Sequence, residues 1–478
     1  MTKKYKYLLS TVLMLVFAKE LVFVFITKPW GNHDEAAHFS YTQYLAEEKK
    51  MPIYQGKFKT PYDLSFSEEY AVSKIAVNNS VTGGIIPKVT PELGRHSLKE
   101  YSNPDFQSLY YKLPADGEYK NAAVLYPPLY YAAEGIPYLL FYKANVFARS
   151  YAMRVFSALI FLATVYFCFL IAMRLSKKFY FSLALTALIG FQPIFSYVES
   201  GINNDVLLTG LATATIYFII RLIDELNIKN SVWLGLCLGL GLLTKQQFFI
   251  FPALALIPFI YHLKISREKF QKIIRLLLLV IVITIGLAGW WYIRNFLIYQ
   301  SFLTVPSLPE AYPQFLNLQI GQYFHIIFTR YFYIFTTFGY NRTFNLQSGL
   351  PISFMVLGAL SAFLSLFGLI WLYLKNKKTA LSSDKVKQTF LVLSILSLEA
   401  VYLYLFLKNL LNYGKYTFPV EGRYFFPLIL PIYYLYLKGL DFLAGKKCRT
   451  ALYLLLILAS VIGNVIIWTN VLLPKIYL

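Results

Sequence analysis

Charged residues are scarce in this chain, and that scarcity decides its class. Only 14% of the 478 residues are charged, whereas 57% are hydrophobic. A soluble globular chain averages about 25% charged residues. Several apolar runs approach the roughly 20 residues that a helix needs to cross a bilayer. The composition therefore excludes an ordinary soluble domain and predicts an all-α polytopic membrane protein.

Acidic residues are the scarcer of the two charge types, with 24 against 45 basic residues and a net charge of +21. In a soluble domain this excess would suggest nucleic acid as a partner. Here the basic residues cluster in short loops between apolar runs, such as "RLSKK" (174–178) and "LKGLDFLAGKKCR" (437–449). The positive-inside rule explains that distribution, so we expect these loops in the cytoplasm and no nucleic-acid partner.

Cysteines number only three, and none lies in the long polar segment that follows the first apolar run. Cys168 and Cys237 fall in apolar runs and Cys448 in a basic loop, which excludes a disulfide framework. The N-terminal "MTKKYKYLLSTVLMLVF" lacks a small-residue cleavage site. It predicts an uncleaved signal anchor whose N-terminus is cytoplasmic.

The hydropathy pattern predicts one membrane-embedded domain over 1–478, with a first span at 7–27 and an extracytoplasmic loop at 28–152. Within that loop, "YPPLYYAAEGIPYLLFY" (126–142) is ambiguous, since it is apolar but short and rich in proline. A span there would place "RLSKK" outside, so the charge rule favours interfacial helices. The remaining bundle fills 153–478. Its predicted spans, which bring the total to eleven, are 153–173, 179–198, 205–222, 231–243, 246–262, 273–292, 351–374, 388–408, 424–438 and 450–472.

The densest cluster of ionisable residues is "HDEAAH" (33–38), directly after the first span. A zinc-protease reading fails, because His33 and His38 are five residues apart and diverge on a helix, whereas that motif needs four. Asp34 and His38 have the spacing to share a cation. One interpretation is a helix start that Asn32 or Asp34 caps. The chemical alternative makes Asp34 a general base at the edge of a partly dehydrated cavity.

Three stretches resemble the opening of a known enzyme superfamily: "HDEAAHFSYTQYLAEEKKMPIY" (33–54), "YPPLYYAAEGIPYLL" (126–140) and "ARSYAMRVFSAL" (148–159). They are similar to the GT-C membrane glycosyltransferases, especially the family of protein O-mannosyltransferases and lipid A aminoarabinose transferases. The motifs "INND", "WYIRN" and "GRYFFP" are closer still to related uncharacterised bacterial membrane proteins. The resemblance implies a GT-C-like fold with a large first external loop.

The same resemblance implies transfer of a sugar, with inversion, from a polyprenyl phosphate to an acceptor hydroxyl on the outer face of the cell membrane. Asp34 matches the family's base, and "ESGINND" (199–205) supplies Glu199 and Asp205 at the place of the second acid. Asp205 is the choice, since it closes the loop and opens the next span. Glu35 completes the predicted catalytic set in an orienting role. The implied partners are a lipid-linked sugar, the bilayer, and a wall polymer, lipid or protein as acceptor. Some relatives use a divalent metal, so Mg²⁺ or Mn²⁺ stays open, although no ligand cluster here requires one.

A phosphate leaving group needs fixed cations, and arginine and lysine suit that purpose. The predicted donor-phosphate ligands are Lys245, Arg294, Arg342 and Arg423. Two of them have simpler readings, since Arg294 follows two tryptophans typical of an interface anchor and Arg423 could pair with Glu421. The predicted cavity rim consists of His38, Tyr126, Pro128 and Tyr130.

Two other functions remain open from the sequence. Lys19 and Glu20 lie inside the first span, where charge is costly, and support a transporter or flippase for a lipid-linked sugar. A surface-polysaccharide polymerase or ligase is the other alternative, although proteins of that kind usually carry their large external loop late in the chain.

Overall fold

The computed structural model describes residues 2–27, 32, 34–53, 122–144, 146–265, 269–303, 352–375, 382–413, 422–469 and 473. Every regular element in these ranges is helical. Seven of the helices are long and apolar enough to cross a membrane, or eight if one bent pair forms a single span. The predicted class, an all-α polytopic membrane protein, is confirmed, whereas the predicted count of eleven spans is not.

The α-helices are numbered here in chain order. The first seven are α1 (Lys3–Ile26), α2 (Glu35–Glu48), α3 (Leu129–Leu140), α4 (Val146–Ser176), α5 (Phe179–Gly190), α6 (Pro193–Glu199) and α7 (Asn204–Asp224). The second seven are α8 (Ile228–Leu242), α9 (Ile250–Leu254), α10 (Ile257–Ile265), α11 (Phe270–Tyr299), α12 (Ile352–Lys375), α13 (Ser383–Tyr413) and α14 (Ile429–Ile467). Short 3₁₀ helices occupy Ala122–Leu125, Gln246–Phe249 and Gly422–Leu428.

Several predicted spans are interrupted, and the interruptions have local causes. The predicted span 179–198 is a bent pair, since α5 and α6 meet at 60°. Pro193 opens α6 without a backbone donor, and the side chain of Gln192 caps the new helix by accepting from Phe195 N. The last two predicted spans overlap one helix, α14, which is non-helical at Gly445 (φ 64°). Positive φ suits glycine, so the bend falls at that residue.

Helix α3 is too short to be a span. Its 12 residues reach about 18 Å, against a hydrocarbon core of about 30 Å. It packs against α2 and the start of α4 around buried aromatic rings, among them Phe39, Tyr131 and Tyr138. Arg149 of α4 donates to Tyr138 Oη over 2.7 Å, and Tyr138 Oη donates to Glu47 of α2, so the two bonds join the three helices. This arrangement fits the interfacial helices predicted for 126–142.

Loops predicted to be cytoplasmic meet at one end of the bundle. Arg174 of the "RLSKK" loop contacts Asp224 at 3.3 Å, and Asp224 also pairs with Lys387 at the start of α13. Lys178 reaches Asp441 in α14 at 3.4 Å. A topology that alternates between two sides of a membrane requires these loops to lie together.

Helices α12 and α14 cross with their backbones in close approach, which gives a stability prediction. A Cβ added at Gly368 would lie 2.3 Å from the carbonyl oxygen of Gly439. Because backbone cannot move aside cheaply, we expect Gly368→Ala to destabilise the protein by about 1–3 kcal/mol. Thermal unfolding in detergent measures this. Gly286→Ala is the matched control, since a Cβ there meets nothing within 4 Å; equal unfolding temperatures for the two variants would contradict the crossing.

Candidate active site

Asp34 is the N-cap residue of α2, but its side chain does not cap the helix. The residue is in the left-handed conformation (φ 53°, ψ 16°), and its carboxylate makes no capping hydrogen bond. Its Oδ2 instead lies 3.2 Å from Nη2 of Arg423, 389 residues further along the chain. Positive φ in a non-glycine residue costs about 1–3 kcal/mol, and such strain is concentrated at functional sites. The helix-cap interpretation therefore does not account for the Asp34 carboxylate.

Glu35 is fully buried and bound on both oxygens. Arg154 of α4 donates from Nε to Oε1 and from Nη2 to Oε2, each over 2.6 Å. The backbone nitrogens of Ile202 and Asn32 add bonds of 3.1 and 3.3 Å. The same guanidinium donates to the carbonyl oxygens of Val24 and Thr27 at the end of α1. Glu35 thus ties α1, α2, α4 and the α6–α7 turn into one unit.

Asp205 lies in the first turn of α7, where the side chain of Asn203 caps the helix by accepting from Asp205 N over 2.9 Å. The Asp205 carboxylate is almost completely buried and accepts a hydrogen bond from the ammonium of Lys245. Lys245 follows α8 at a break in the helical path, directly before Gln246–Phe249. Because the helical path breaks here, the Lys245 side chain reaches the Asp205 carboxylate. A straight continuation of α8 would run past that carboxylate.

Arg423 joins the two acids. Its Nη2 contacts Asp34 as above, and its Nη1 lies 3.4 Å from Asp205 Oδ2. The 3₁₀ helix Gly422–Leu428 holds this arginine directly against α7. Asp34, Asp205, Lys245 and Arg423 form what we call the four-charge cluster. It contains two positive and two negative groups drawn from four separate parts of the chain.

Asp34 is the most exposed member of the four-charge cluster. The Asp34 side chain is 33% exposed, whereas those of Asp205 and Arg423 are 3% and 7% exposed. Aromatic rings wall the buried part, with the Lys245 ammonium 5.3 Å from the ring of Tyr126 and 5.8 Å from that of Tyr424. Asp34 is therefore the carboxylate that an entering molecule meets first.

His38 lies one turn after Asp34 and is buried among tyrosines. Its Nδ1 is 2.9 Å from Tyr131 Oη, and its ring stacks on those of Tyr126 and Tyr131. Burial lowers the pKa of His38 to about 3, a shift that the Asp34 carboxylate opposes. The imidazole is therefore neutral at physiological pH and cannot serve as a fixed cation.

The other predicted rim residues fix the start of α3. Tyr130 is fully buried, with its Oη 3.1 Å from Ser157 Oγ. Pro128 is the N-cap residue of α3, and the following Leu129 N donates to Leu243 O over 3.0 Å, close to Lys245. Of the three, Tyr126 contacts the four-charge cluster, while Pro128 and Tyr130 support the wall behind it.

Arg294, one of the predicted phosphate ligands, does not join the four-charge cluster. Arg294 donates to the Pro52 carbonyl oxygen over 2.8 Å and lies over the Trp291 ring at 4.9 Å. It thus fastens α11 to the segment after α2. Arg342 lies outside the described residues, as do His33 and the Glu421 that was the alternative partner of Arg423.

The described residues do not suit a divalent metal. No group of three or more His, Cys, Asp or Glu side chains in those ranges could hold one. Asp34 and Asp205 already face the two cations of Lys245 and Arg423, which balance their charge. A metal between these carboxylates would first have to displace Arg423, so no step below involves one.

Residues that the sequence reading did not select complete the site. Arg154, Asn203 and Tyr424 position or wall the cluster. Arg154 could have been selected from the sequence, because a charged residue within an apolar helix is costly and implies a partner. Asn203 and Tyr424 carried no such signal, since the sequence contains 40 tyrosines and many polar turn residues.

These features define an all-helical polytopic membrane protein. Its buried ionic site is the four-charge cluster, which lies beside the short 3₁₀ helices Gln246–Phe249 and Gly422–Leu428. The chain belongs to the family described as predicted membrane protein (DUF2142), whose model matches residues 17–432. No curated protein matches it.

Two solved structures are similar to this chain. ArnT from Cupriavidus metallidurans bound to undecaprenyl phosphate has 12% identity and a TM-score of 0.48; the match covers 95% of this chain and 63% of ArnT. The apo state of ArnT from that organism has 14% identity and a TM-score of 0.40, over 81% and 61% of the two chains. This chain therefore spans less than two thirds of the length of either. At these identities and scores, neither structure assigns a reaction or a ligand to it.

Proposed function

We propose that this protein is a GT-C-type glycosyltransferase that moves a sugar from a polyprenyl phosphate to an acceptor hydroxyl. The observation that carries the proposal is the four-charge cluster. It places a partly exposed carboxylate, Asp34, beside two almost buried cations, Lys245 and Arg423. A base beside an anion-binding pair is what displacement of a phosphate leaving group requires. The choice of a polyprenyl carrier, undecaprenyl phosphate if the protein is bacterial, rests on the sequence resemblance.

The proposed reaction is a single displacement. Asp34 takes the proton of the acceptor hydroxyl as that oxygen forms a bond to the anomeric carbon. The bond from the anomeric carbon to the phosphate oxygen breaks, and the polyprenyl phosphate leaves with the electron pair. One displacement inverts the anomeric configuration. Lys245 and Arg423 stabilise the charge that develops on the phosphate, because such preorganised donors are most effective where water is excluded.

Donor binding also makes Asp34 available as a base. In the structure Arg423 contacts Asp34 at 3.2 Å and so occupies its carboxylate. A phosphate that binds Arg423 competes for the same N–H groups and frees the Asp34 carboxylate. Asp205 is buried and keeps its contacts to both cations throughout. Asp205 is thus a positioning residue, and Glu35 holds the start of α2 through Arg154.

The proposal is tested with membranes that contain the wild-type chain and a panel of polyprenyl phosphates carrying radiolabelled sugars. We expect label to leave one donor and to appear, with inverted configuration, on an envelope acceptor. Lys245→Met should lower that rate about 10²–10³-fold, the effect of removing one preorganised donor. Lys264→Met is the matched control, since Lys264 is exposed at the end of α10. Wild-type rates in Lys245→Met would remove this lysine from leaving-group stabilisation.

A further inference from the structure

A second polar cluster lies between α1 and α6. We call Lys19, Glu20, Ser196 and Glu199 the α1–α6 cluster; each is at most 5% exposed. The Lys19 ammonium donates to Glu20 Oε2 over 2.9 Å and to Ser196 Oγ. It also lies 4.8 Å from the centre of the Phe161 ring. These contacts account for Lys19, but they leave Glu199 without a cation.

Both carboxyl oxygens of Glu199 are buried and have no hydrogen-bond partner among the described residues. Oε1 of Glu20 is buried without a partner as well, and the hydroxyl of Thr209, on α7, is a donor beside Glu199 that does not complete a hydrogen bond to it. The charged groups that act most strongly on Glu199 are Glu20 and Asp205, and both are acidic. The thiol of Cys168, on α4, also faces it. The surroundings therefore disfavour a carboxylate anion at this position.

The charges within the α1–α6 cluster also disfavour an ionised Glu199. The α1–α6 cluster contains one ammonium and two carboxyls, so it carries a net negative charge if every group is ionised. An ionised carboxylate without donors costs several kcal/mol in a low-dielectric interior, and proteins usually avoid that cost by neutralising the group. A bound proton neutralises the Glu199 carboxylate and needs no extra space. It also turns the carboxyl into a donor for acceptors such as Glu20 Oε1.

We propose that Glu199 is a proton-binding site that is occupied in the folded protein and keeps α6 packed against α1. Because Glu199 lies on α6, this proton affects the contacts that α6 and the turn after it make. The carbonyl oxygen of Tyr197 on α6 accepts from the Asn32 side chain, and Ile202 N in the turn after α6 binds Glu35. Loss of the proton would place an uncompensated anion beneath the segment that supports the start of α2. The folded protein should therefore become less stable as the pH rises.

Thermal unfolding across pH tests the site without reference to any reaction. In the wild type we expect the stabilisation by this proton, and with it the unfolding temperature, to decline as the pH rises above the ordinary carboxyl pKa of about 4.3. Glu199→Gln, which imitates the protonated acid, should fall measurably less. Glu225→Gln removes an exposed carboxyl just after α7 and should follow the wild type. The same pH dependence in Glu199→Gln and the wild type would overturn the proposal.

Carbodiimide labelling gives an independent readout in the wild-type chain, because dicyclohexylcarbodiimide modifies protonated, apolar-shielded carboxyls. Peptide mapping should find an adduct at Glu199 that declines at alkaline pH. Glu134 is the positive control, since burial raises its pKa to about 8, and Glu35, paired with Arg154, should stay unmodified. Modification of Glu134 without Glu199 would contradict the proposal. Protection of Glu199 by sodium chloride but not by choline chloride would also overturn it and assign a sodium ion instead.

Discussion

An Arg154→Met variant is expected to lose about 3–5 kcal/mol of folding free energy, the usual cost of removing one partner of a buried ion pair. Arg154 and Glu35 are both fully buried and share two hydrogen bonds of 2.6 Å. The substitution leaves the Glu35 anion without its cation and frees the carbonyl oxygens of Val24 and Thr27. That loss approaches the whole stability of many domains. The expected observation is a severe fall in monodisperse protein after detergent extraction.

Two further variants separate lost charge pairing from lost packing. The double variant Glu35→Gln with Arg154→Met should be more stable than Arg154→Met alone, since no uncompensated charge remains. Arg154→Lys keeps the charge but loses the two-pronged geometry, so it should fall between the wild type and Arg154→Met. Arg275→Met, at an exposed position on α11, is the control. A wild-type unfolding temperature in Arg154→Met would show that the pair does not support the fold.

The members of the four-charge cluster could be selected from sequence, but their pairing could not. Asp34 and Asp205 were selected because their motifs resemble those of the GT-C family, and Lys245 and Arg423 because a phosphate leaving group needs fixed cations. Which groups would meet depends on how helices hundreds of residues apart pack. Arg294 looked equally suitable beside its tryptophans, yet its guanidinium binds Pro52 instead.

The start of α2 shows where sequence rules give the wrong local structure. Asp34 occupies the N-cap position, where aspartate usually binds the helix N–H groups, yet its carboxylate makes no such bond. The tertiary contact to Arg423 replaces the local one. The break between α5 and α6 was missed for a related reason, since hydropathy counts apolar residues and is insensitive to a single proline.

Asp34→Asn is expected to reduce sugar transfer about 10²–10⁴-fold, the usual contribution of a general base. The amide keeps the size of the side chain but cannot accept the acceptor's proton. Donor binding should persist, because Lys245 and Arg423 keep Asp205 as their partner. Glu48→Gln, at an exposed position at the end of the same helix, is the matched control and should transfer as the wild type does.

The measurement that tests the central claim most directly separates binding from chemistry. Donor binding to purified wild type, Asp34→Asn and Glu48→Gln is quantified first, and the acceptor is then added so that transferred sugar is quantified in a single turnover. The account predicts donor binding by Asp34→Asn at least as tight as by the other two proteins, because the carboxylate that competes for Arg423 is gone, and transfer by the wild type and Glu48→Gln only. Transfer by Asp34→Asn at the wild-type rate would contradict it and would leave the Asp34–Arg423 contact with a structural role.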